Sequence, residues 1–284
     1  AVDRVGLQHA AHRVWSLDHS AAHPGGHWAR IDPGRCGGNG PPGVAKNEVK
    51  PWQVESWCQA EVTPEFLAAL KLILDLYHRP PHPDRPLVCF DEKSVQLVAD
   101  SRPECAAQPG RPRRRDYEYV RRGTRNVFVF VEPWTGKRQT LVTRQRTKLD
   151  FAKAMRYLAD TLYPEAEWID VVLDNLNTHT AEALIEIFGK PEADRLLARL
   201  RFHYTPLHAS WLNLAESEFA VMTTQCLDRR LADEWTLATE LIAWDAARNR
   251  AAVPIQWSLT WKRAKHVFSH SHMRSHAGNP DKTK

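Results

Sequence analysis

The sequence predicts an α/β protein built on one mixed sheet that is flanked by helices. Strand-type apolar runs come first, strands then alternate with helical patterns, and no internal repeat is visible. The chain has 284 residues, of which 43% are apolar and 26% charged. This composition is typical of a folded globular protein and excludes wholesale disorder. No stretch approaches the roughly 18 consecutive apolar residues of a membrane span.

The first part of the chain predicts little regular structure. Residues 1–45 show neither helical nor strand periodicity, and glycine and proline are concentrated between Pro24 and Pro42. We expect this segment to be irregular or disordered and to add little to stability. Residues 269–284 are also poor in apolar side chains, and we expect a disordered tail there.

Cysteine usage and the N-terminal sequence indicate a compartment. The five cysteines are scattered, with no CxxC pair, which favours neither a disulfide framework nor a structural zinc site. The first 15 residues lack the apolar core of a signal peptide. We therefore expect a cytoplasmic protein that has no membrane partner.

A helical segment and linker are predicted over residues 46–86. A helix is expected to begin at Thr63-Pro64-Glu65, where a capping hydroxyl precedes proline and an acid. Apolar residues then recur at helical spacing from Phe66 to Tyr77. The proline-rich sequence HRPPHPDRP at residues 78–86 ends this helix.

Strands are predicted next. The apolar run Leu87–Phe90 ends in Asp91, and residues 94–98 are either its continuation or a partner strand. Residues 117–121 and 127–131 flank Arg122-Gly123-Thr124, which has the composition of a hairpin turn. Further strands are predicted over residues 138–143, 168–173 and 201–204. Helices are predicted over residues 148–162, 180–188, 192–200, 210–226 and 231–250. The main folded domain is therefore placed at residues 87–268.

Positive charge is concentrated between Arg102 and Lys148. This block holds 13 Lys and Arg against 4 acids, whereas the whole chain has a formal charge of only +5. Arginines interleaved with Tyr117 and Tyr119 suit a phosphate backbone, although a solvated hairpin without a partner is the alternative. The predicted DNA-binding residues are Arg113, Arg114, Arg115, Arg121, Arg122 and Arg125.

Three carboxylates stand out by their positions. Asp91 and Asp174 each follow an apolar strand, and the ends of neighbouring strands converge on the crevice where ligands bind. Glu216 shares a predicted helix face with Leu212 and Phe219, so we expect it to point inward at the sheet. Oxygen ligands of this kind suit magnesium or manganese. Taken singly, each acid has a simpler explanation as a turn or capping residue.

The sequences around these acids resemble a known family. FDEKSVQLV (90–98), VLDNLNTHT (172–180) and FHYTPLHASWLNLAESEF (202–219) are similar to the three catalytic blocks of the DDE-superfamily transposases. The similarity is to the bacterial insertion-sequence group related to the mariner elements, and it runs from about Lys50 to about Phe268. It implies a ribonuclease-H-like fold and metal-dependent DNA cleavage and strand transfer. It also implies that Asp91, Asp174 and Glu216 are catalytic and bind two Mg²⁺ or Mn²⁺ ions.

The resemblance implies partners as well. Double-stranded DNA is expected, both at the element ends and at the target, and we expect a homodimer when the protein is assembled on DNA. The family's N-terminal helix-turn-helix is not legible in residues 1–45. The alternative is therefore a catalytically silent, DNA-binding remnant of a transposase with a degraded recognition module. A ribonuclease-H-like nuclease that acts on RNA–DNA hybrids is a third interpretation, which the three sequence blocks disfavour.

Polar neighbours of the three acids are given structural roles. Strand alternation or helix geometry should direct Glu92, Asp170 and Glu218 away from the metal ions. A turn or capping role is expected for His179. Trp211 is expected to lie in the core rather than to stack on a base.

Overall fold

The computed structural model describes residues 62–266 and residue 268. The predicted irregular segment 1–45, the first part of the predicted helical segment and the predicted tail 269–284 lie outside the described residues. The proposed division of the chain at residue 86 stays a prediction. No helix in the described part is both long and apolar enough to cross a membrane.

Helices and strands follow one another through the described residues. The helices are α1 (Pro64–His78), α2 (Lys148–Tyr157), α3 (Ala181–Phe188), α4 (Lys190–Leu197), α5 (Ala215–Met222) and α6 (Glu234–Ala251). The strands are β1 (Leu87–Asp100), β2 (Tyr119–Glu132), β3 (Lys137–Thr143), β4 (Ile169–Leu173) and β5 (Leu200–Tyr204). Single π-helical turns extend α2 and α5, and a 3₁₀ turn (Ser210–Leu212) precedes α5.

The five strands form one mixed sheet in the order β3-β2-β1-β4-β5. Strand β2 pairs antiparallel with β1 and with β3, whereas β4 pairs parallel with β1 and with β5. Helices cover both faces of the sheet. This order and these directions are those of a ribonuclease-H-like sheet, so the predicted fold class is confirmed.

Strand alternation divides the apolar side chains between two cores. Leu87 and Cys89 of β1 face the core shared with α1, α5 and α6. Val88 and Phe90 face the core shared with α2, α3 and α4. Because successive side chains of a strand point to opposite faces, a strand buried on both sides must be a continuous apolar run. The run Leu87–Phe90 meets this requirement.

Strand β1 is longer than predicted. It does not end at Phe90 but continues through Asp91 to Asp100, because β2 provides an antiparallel partner over this length. Its parallel pairing with β4 stops at Cys89. Asp91 therefore lies just beyond the parallel part of the sheet, and its placement at a strand end was wrong.

The predicted hairpin turn at residues 122–124 is also wrong. Strand β2 runs without a break through this sequence, and its register against β1 shifts between Gln96 and Val98. Gly123 has a φ of 92°, which glycine adopts without strain, and the extra residue of β2 forms a β-bulge. Residues 101–118 join the two strands instead. We call residues 101–125 the basic arm; almost all of its residues are exposed.

The helix predicted over residues 210–226 is interrupted at Asn213. The side-chain amide of Asn213 donates to the main-chain oxygen of Phe90 over 2.8 Å, and Oδ1 of Asn213 accepts from the backbone N–H of Ala215 over 3.2 Å. Asn213 is thus buried between β1 and the start of α5. This contact determines where α5 begins, and hence which of its side chains face the sheet.

A buried ion pair joins β3 to α5. The Nε and Nη2 atoms of Arg138 donate to the two carboxylate oxygens of Glu218 over 2.6 and 2.7 Å. The Arg138 side chain is only 1% exposed, and it also donates to the main-chain oxygens of Gly136 and Val253. Arg248 of α6 approaches the same carboxylate at 3.3 Å. Burial of these charges is tolerated because they are paired and hydrogen-bonded.

Candidate active site

Asp91 and Asp174 lie on the same face of the sheet. Cys89 of β1 pairs with Val172 of β4, and both side chains enter the core beneath α1, α5 and α6. Asp91 follows Cys89 by two residues, and Asp174 follows Val172 by two residues. Strand alternation therefore directs both carboxylates towards that face. The two chain segments run side by side here. Asp91 and Asp174, which are 83 positions apart in the sequence, are thereby brought together.

Glu216 approaches the same place from α5, which packs against β1 on this face. The prediction that its side chain points inward is wrong, because Glu216 is exposed. Since α5 begins only at Ala215, the helix turns Ala215, Phe219 and Met222 towards the sheet. Glu216 instead borders the open side of the site, where its charge interacts with those of Asp91 and Asp174.

The three carboxylates carry excess negative charge. Burial, and then the charges of Glu216, Glu92 and Asp174, raise the pKa of Asp91 to about 7. Burial and the charge of Asp174 also raise the pKa of Glu216, although Lys93 opposes this. Lys93 is a cation close to Glu216, with its Nζ 5.7 Å from the centre of the Phe219 ring. Carboxylates that raise one another's pKa mark a place where a cation is favoured.

Hydrogen bonds orient the two aspartates. Asp91 accepts at Oδ1 from the backbone N–H of Glu92 over 2.8 Å, and Asn213 Nδ2 lies 3.3 Å from its Oδ2. Asp174 accepts at Oδ1 from the backbone N–H of Leu176 over 3.2 Å and from His179 Nδ1 over 2.6 Å. No described residue donates to Oδ2 of Asp174, so this oxygen is available to a ligand.

His179 makes buried side-chain contacts that a turn or capping role alone does not explain. Its side chain is 1% exposed, and its Nε2 lies 3.2 Å from Oε2 of Glu92. Burial lowers the pKa of His179, but the hydrogen bond with Asp174 and the charges of Asp174 and Glu92 outweigh burial and raise it to about 9. Conversely, burial raises the pKa of Asp174, but His179 outweighs this effect and the pKa lies below its ordinary value. The sequence signal for the contact between His179 and Asp174 is LDNLNTH, in which the histidine follows the aspartate by five residues.

The other acids point elsewhere. Glu92 faces His179, and its Oε1 lies 3.6 Å from Nη1 of Arg146. Asp170 accepts from Arg79 and from His203, each over 2.7 Å. Glu218 is held by Arg138, as described above. The predicted directions of Glu92, Asp170 and Glu218, away from the three-carboxylate site, agree with these contacts.

Trp211 does not lie in the core. It is 45% exposed and stacks on Trp257, with ring centroids 6.4 Å apart. Within the 3₁₀ turn only Leu212 is fully buried, because a turn of three residues can direct only one side chain into the core. An exposed indole therefore lies five residues before Glu216 in the sequence.

The three carboxylates form a donor set that suits a divalent metal ion. Among residues 62–266 no three His, Cys, Asp or Glu side chains already stand at the spacing of a formed metal site. The chemistry nevertheless fits a hard cation, because all three groups are carboxylates and Asp174 Oδ2 has no donor among the described residues. Burial raises the pKa of Asp91 and of Glu216 most, and the charges of neighbouring carboxylates raise both further, which a bound cation would offset.

The predicted DNA-binding arginines all lie on the basic arm, but three of them face acids. Arg113 and Arg115 share Glu104, at 2.8 and 3.8 Å, and Arg125 contacts Glu234 at 2.7 Å. These pairs neutralise part of the charge that the sequence places there. Among the described residues no acid lies within 4 Å of the other three, Arg114, Arg121 and Arg122.

The chain is similar to several solved structures. It is similar to the Mos1 mariner paired end complex with Mn, at 17% identity over 72% of this chain and 61% of that chain, with a TM-score of 0.46. It is also similar to the Mos1 strand transfer complex, at 16% identity over 84% of this chain and 68% of that chain, with a TM-score of 0.48. A third is an intasome of simian T-cell lymphotropic virus bound to a PP2A regulatory subunit, at 14% identity over 62% and 60% of the two chains, with a TM-score of 0.35.

The match to a protein family is more direct. The chain spans only about three fifths of the length of the first of these structures. No curated protein sequence matches the chain. The family profile for the DDE superfamily endonuclease, however, matches residues 86–238, which is more than half of the chain. The predicted enzyme class is thereby confirmed, and the chain belongs to the DDE superfamily of endonucleases.

Proposed function

We propose that this chain is a transposase that cuts DNA at the ends of an insertion sequence and joins those ends to target DNA. The observation that carries the proposal is the placement of Asp91, Asp174 and Glu216 around one face of a ribonuclease-H-like sheet in a DDE endonuclease. The sequences FDEK, LDN and WLNLAE around these acids favour a transposase over a nuclease for RNA–DNA hybrids.

In this proposal Asp91, Asp174 and Glu216 hold Mg²⁺ or Mn²⁺, as two ions. When bound, such ions activate a nucleophile and stabilise the charge of phosphoryl transfer. Asn213 keeps the Asp91 carboxylate turned towards the site, and Lys93 adds positive charge beside Glu216. No covalent enzyme intermediate is required, because water can be the nucleophile in cleavage and a terminal 3′-hydroxyl in joining.

The basic arm is proposed to hold double-stranded DNA through its phosphates. Each arginine that neutralises a phosphate releases counter-ions, so affinity should fall as salt rises. The arginines without an acidic partner should contribute most, since the others are already partly neutralised within the arm. A homodimer assembled on two DNA ends belongs to the same proposal.

The arm can be tested with two matched sets of substitutions. Changing Arg114, Arg121 and Arg122 to Ala should weaken binding to any duplex DNA. It should also flatten the dependence of log affinity on log salt by about one unit per lost phosphate contact. Changing Arg113 and Arg115 to Ala should have a smaller effect per residue, because Glu104 already neutralises them. Fluorescence anisotropy on a random-sequence duplex at several salt concentrations measures the affinity and its salt dependence for both sets. Equal effects per residue, or no effect of either set, would refute this assignment.

The function itself is tested on a supercoiled plasmid that carries the gene with its flanking DNA. We expect Mg²⁺-dependent nicking at the element ends, followed by covalent joining of those ends to a second plasmid. Binding without any cleavage would indicate the silent remnant instead. Cleavage that is confined to an RNA–DNA hybrid offered in parallel would indicate a ribonuclease.

A further inference from the structure

One buried side chain links the three-carboxylate site to the opposite face of the sheet. Strand alternation places Glu92 on the face opposite Asp91, where it meets His179. The imidazole of His179 spans the two sides, with Nδ1 2.6 Å from Asp174 Oδ1 and Nε2 3.2 Å from Glu92 Oε2. A carboxylate–imidazole–carboxylate bridge therefore ends on a proposed metal ligand.

The surroundings of His179 fix the orientation of its ring. The ring packs against Phe151 and Phe90, with ring centroids 4.8 and 5.4 Å away. The main-chain oxygen of His179 accepts from the hydroxyl of Tyr204 over 2.7 Å, and the backbone N–H of His179 donates to the main-chain oxygen of Leu176. Nδ1 of His179 forms a hydrogen bond with Asp174 Oδ1, whereas Nε2 lies 3.2 Å from Glu92 Oε2 in an ion-pair contact without hydrogen-bond geometry.

We propose that His179 is a positioning residue for Asp174 and that Glu92 in turn fixes the imidazole. The bond from His179 occupies Oδ1 of Asp174 and leaves Oδ2 for a divalent ion. This inference rests on the proposed function, in which Asp174 binds metal. Partners of this kind orient a ligating carboxylate before the ion arrives, and their loss commonly lowers metal affinity 10- to 100-fold.

Arg146 completes the bridge at its far end. Its Nη1 lies 3.6 Å from Oε1 of Glu92, while the Arg146 side chain is itself 55% exposed. The Glu92 carboxylate, only 3% exposed, thus lies between the imidazole of His179 and the guanidinium of Arg146. This arrangement holds Glu92 in place as the outer support of the ring.

Two substitutions of His179 separate positioning from simple packing. The side-chain amide of His179→Asn ends near the position of Nδ1, so it can still donate to Asp174. The amide of His179→Gln reaches the position of Nε2, so it can contact Glu92 but not Asp174. We expect His179→Asn to bind Mn²⁺ within about threefold of the unsubstituted chain and His179→Gln to bind about 10- to 100-fold more weakly. Electron paramagnetic resonance of free Mn²⁺, without DNA, measures this affinity.

The melting temperatures of both variants are measured by circular dichroism. A role confined to filling space predicts equal losses of affinity in the two variants, and that result would overturn the proposal. Absence of Mn²⁺ binding by the unsubstituted chain would overturn it as well. If either histidine variant fails to fold, Glu92→Ala and Glu92→Gln replace the pair. We then expect weaker Mn²⁺ binding only in Glu92→Ala, because a glutamine side chain keeps an oxygen beside Nε2 and supports the ring as Glu92 does.

The plasmid assay is run on the same preparations. If Mn²⁺ binding shows the expected difference between the variants but the unsubstituted chain cuts no DNA, the proposed function fails and the positioning role stands. If the chain cuts DNA and both histidine variants bind Mn²⁺ equally well, the positioning role fails and the proposed function stands.

Discussion

Asp174→Ala should lose Mg²⁺-dependent DNA cleavage by at least about 10²- to 10³-fold while the protein stays folded. The change removes a carboxylate from the place where charge develops during phosphoryl transfer, and losses there typically amount to several kcal/mol. The fold should tolerate it, because the side chain is 36% exposed and belongs to neither apolar core. Asp91→Ala should have the same effect on cleavage.

The matched control for these substitutions is Asp75→Ala, which removes an exposed aspartate from α1 that pairs with Lys71. We expect this variant to nick plasmid DNA at the rate of the unsubstituted chain. Rates are measured by gel electrophoresis under single-turnover conditions, with circular dichroism as the test of folding. Full nicking activity in either Asp174→Ala or Asp91→Ala would show that the carboxylates have no catalytic role.

Glu218→Ala should destabilise the protein by about 3–5 kcal/mol, because it leaves the buried guanidinium of Arg138 without its counter-ion. Urea denaturation followed by circular dichroism gives the free energy of unfolding. Asp194→Ala, which breaks an exposed pair with Lys190, should cause a much smaller loss. The double change Arg138→Met with Glu218→Leu should restore most of the stability, since an apolar pair can replace a buried ion pair. A loss in Glu218→Ala no larger than in Asp194→Ala would contradict this account.

The fold was predictable where its determinants are local. The start of α1 follows from Thr63, whose hydroxyl oxygen accepts from the backbone N–H of Phe66 over 3.1 Å. The course of β1 beyond Asp91 depends instead on pairing with β2, from Asp91 opposite Val129 to Asp100 opposite Tyr119, which no local pattern reports. Gly123 was misread for the same reason: a glycine suits a turn and a bulge equally, and only the register decides between them.

The site was predictable to a similar extent. Asp91 and Asp174 follow apolar runs, so their shared face could be inferred from strand periodicity. The direction of Glu216 could not, because it depends on the residue at which α5 begins, and Asn213 sets that through its contacts with β1. His179 was undervalued because its second partner, Glu92, lies far away in the sequence.

The central claim is that Asp91, Asp174 and Glu216 together bind the divalent ions used for cleavage. Crystals of the full chain soaked in Mn²⁺ test it most directly, because anomalous scattering locates the metal independently of the protein. The account predicts Mn²⁺ peaks in contact with carboxylate oxygens of these three residues, with Asp174 contributing the oxygen that His179 leaves free. Mn²⁺ bound only at other residues, or no Mn²⁺ at these three carboxylates, would contradict it.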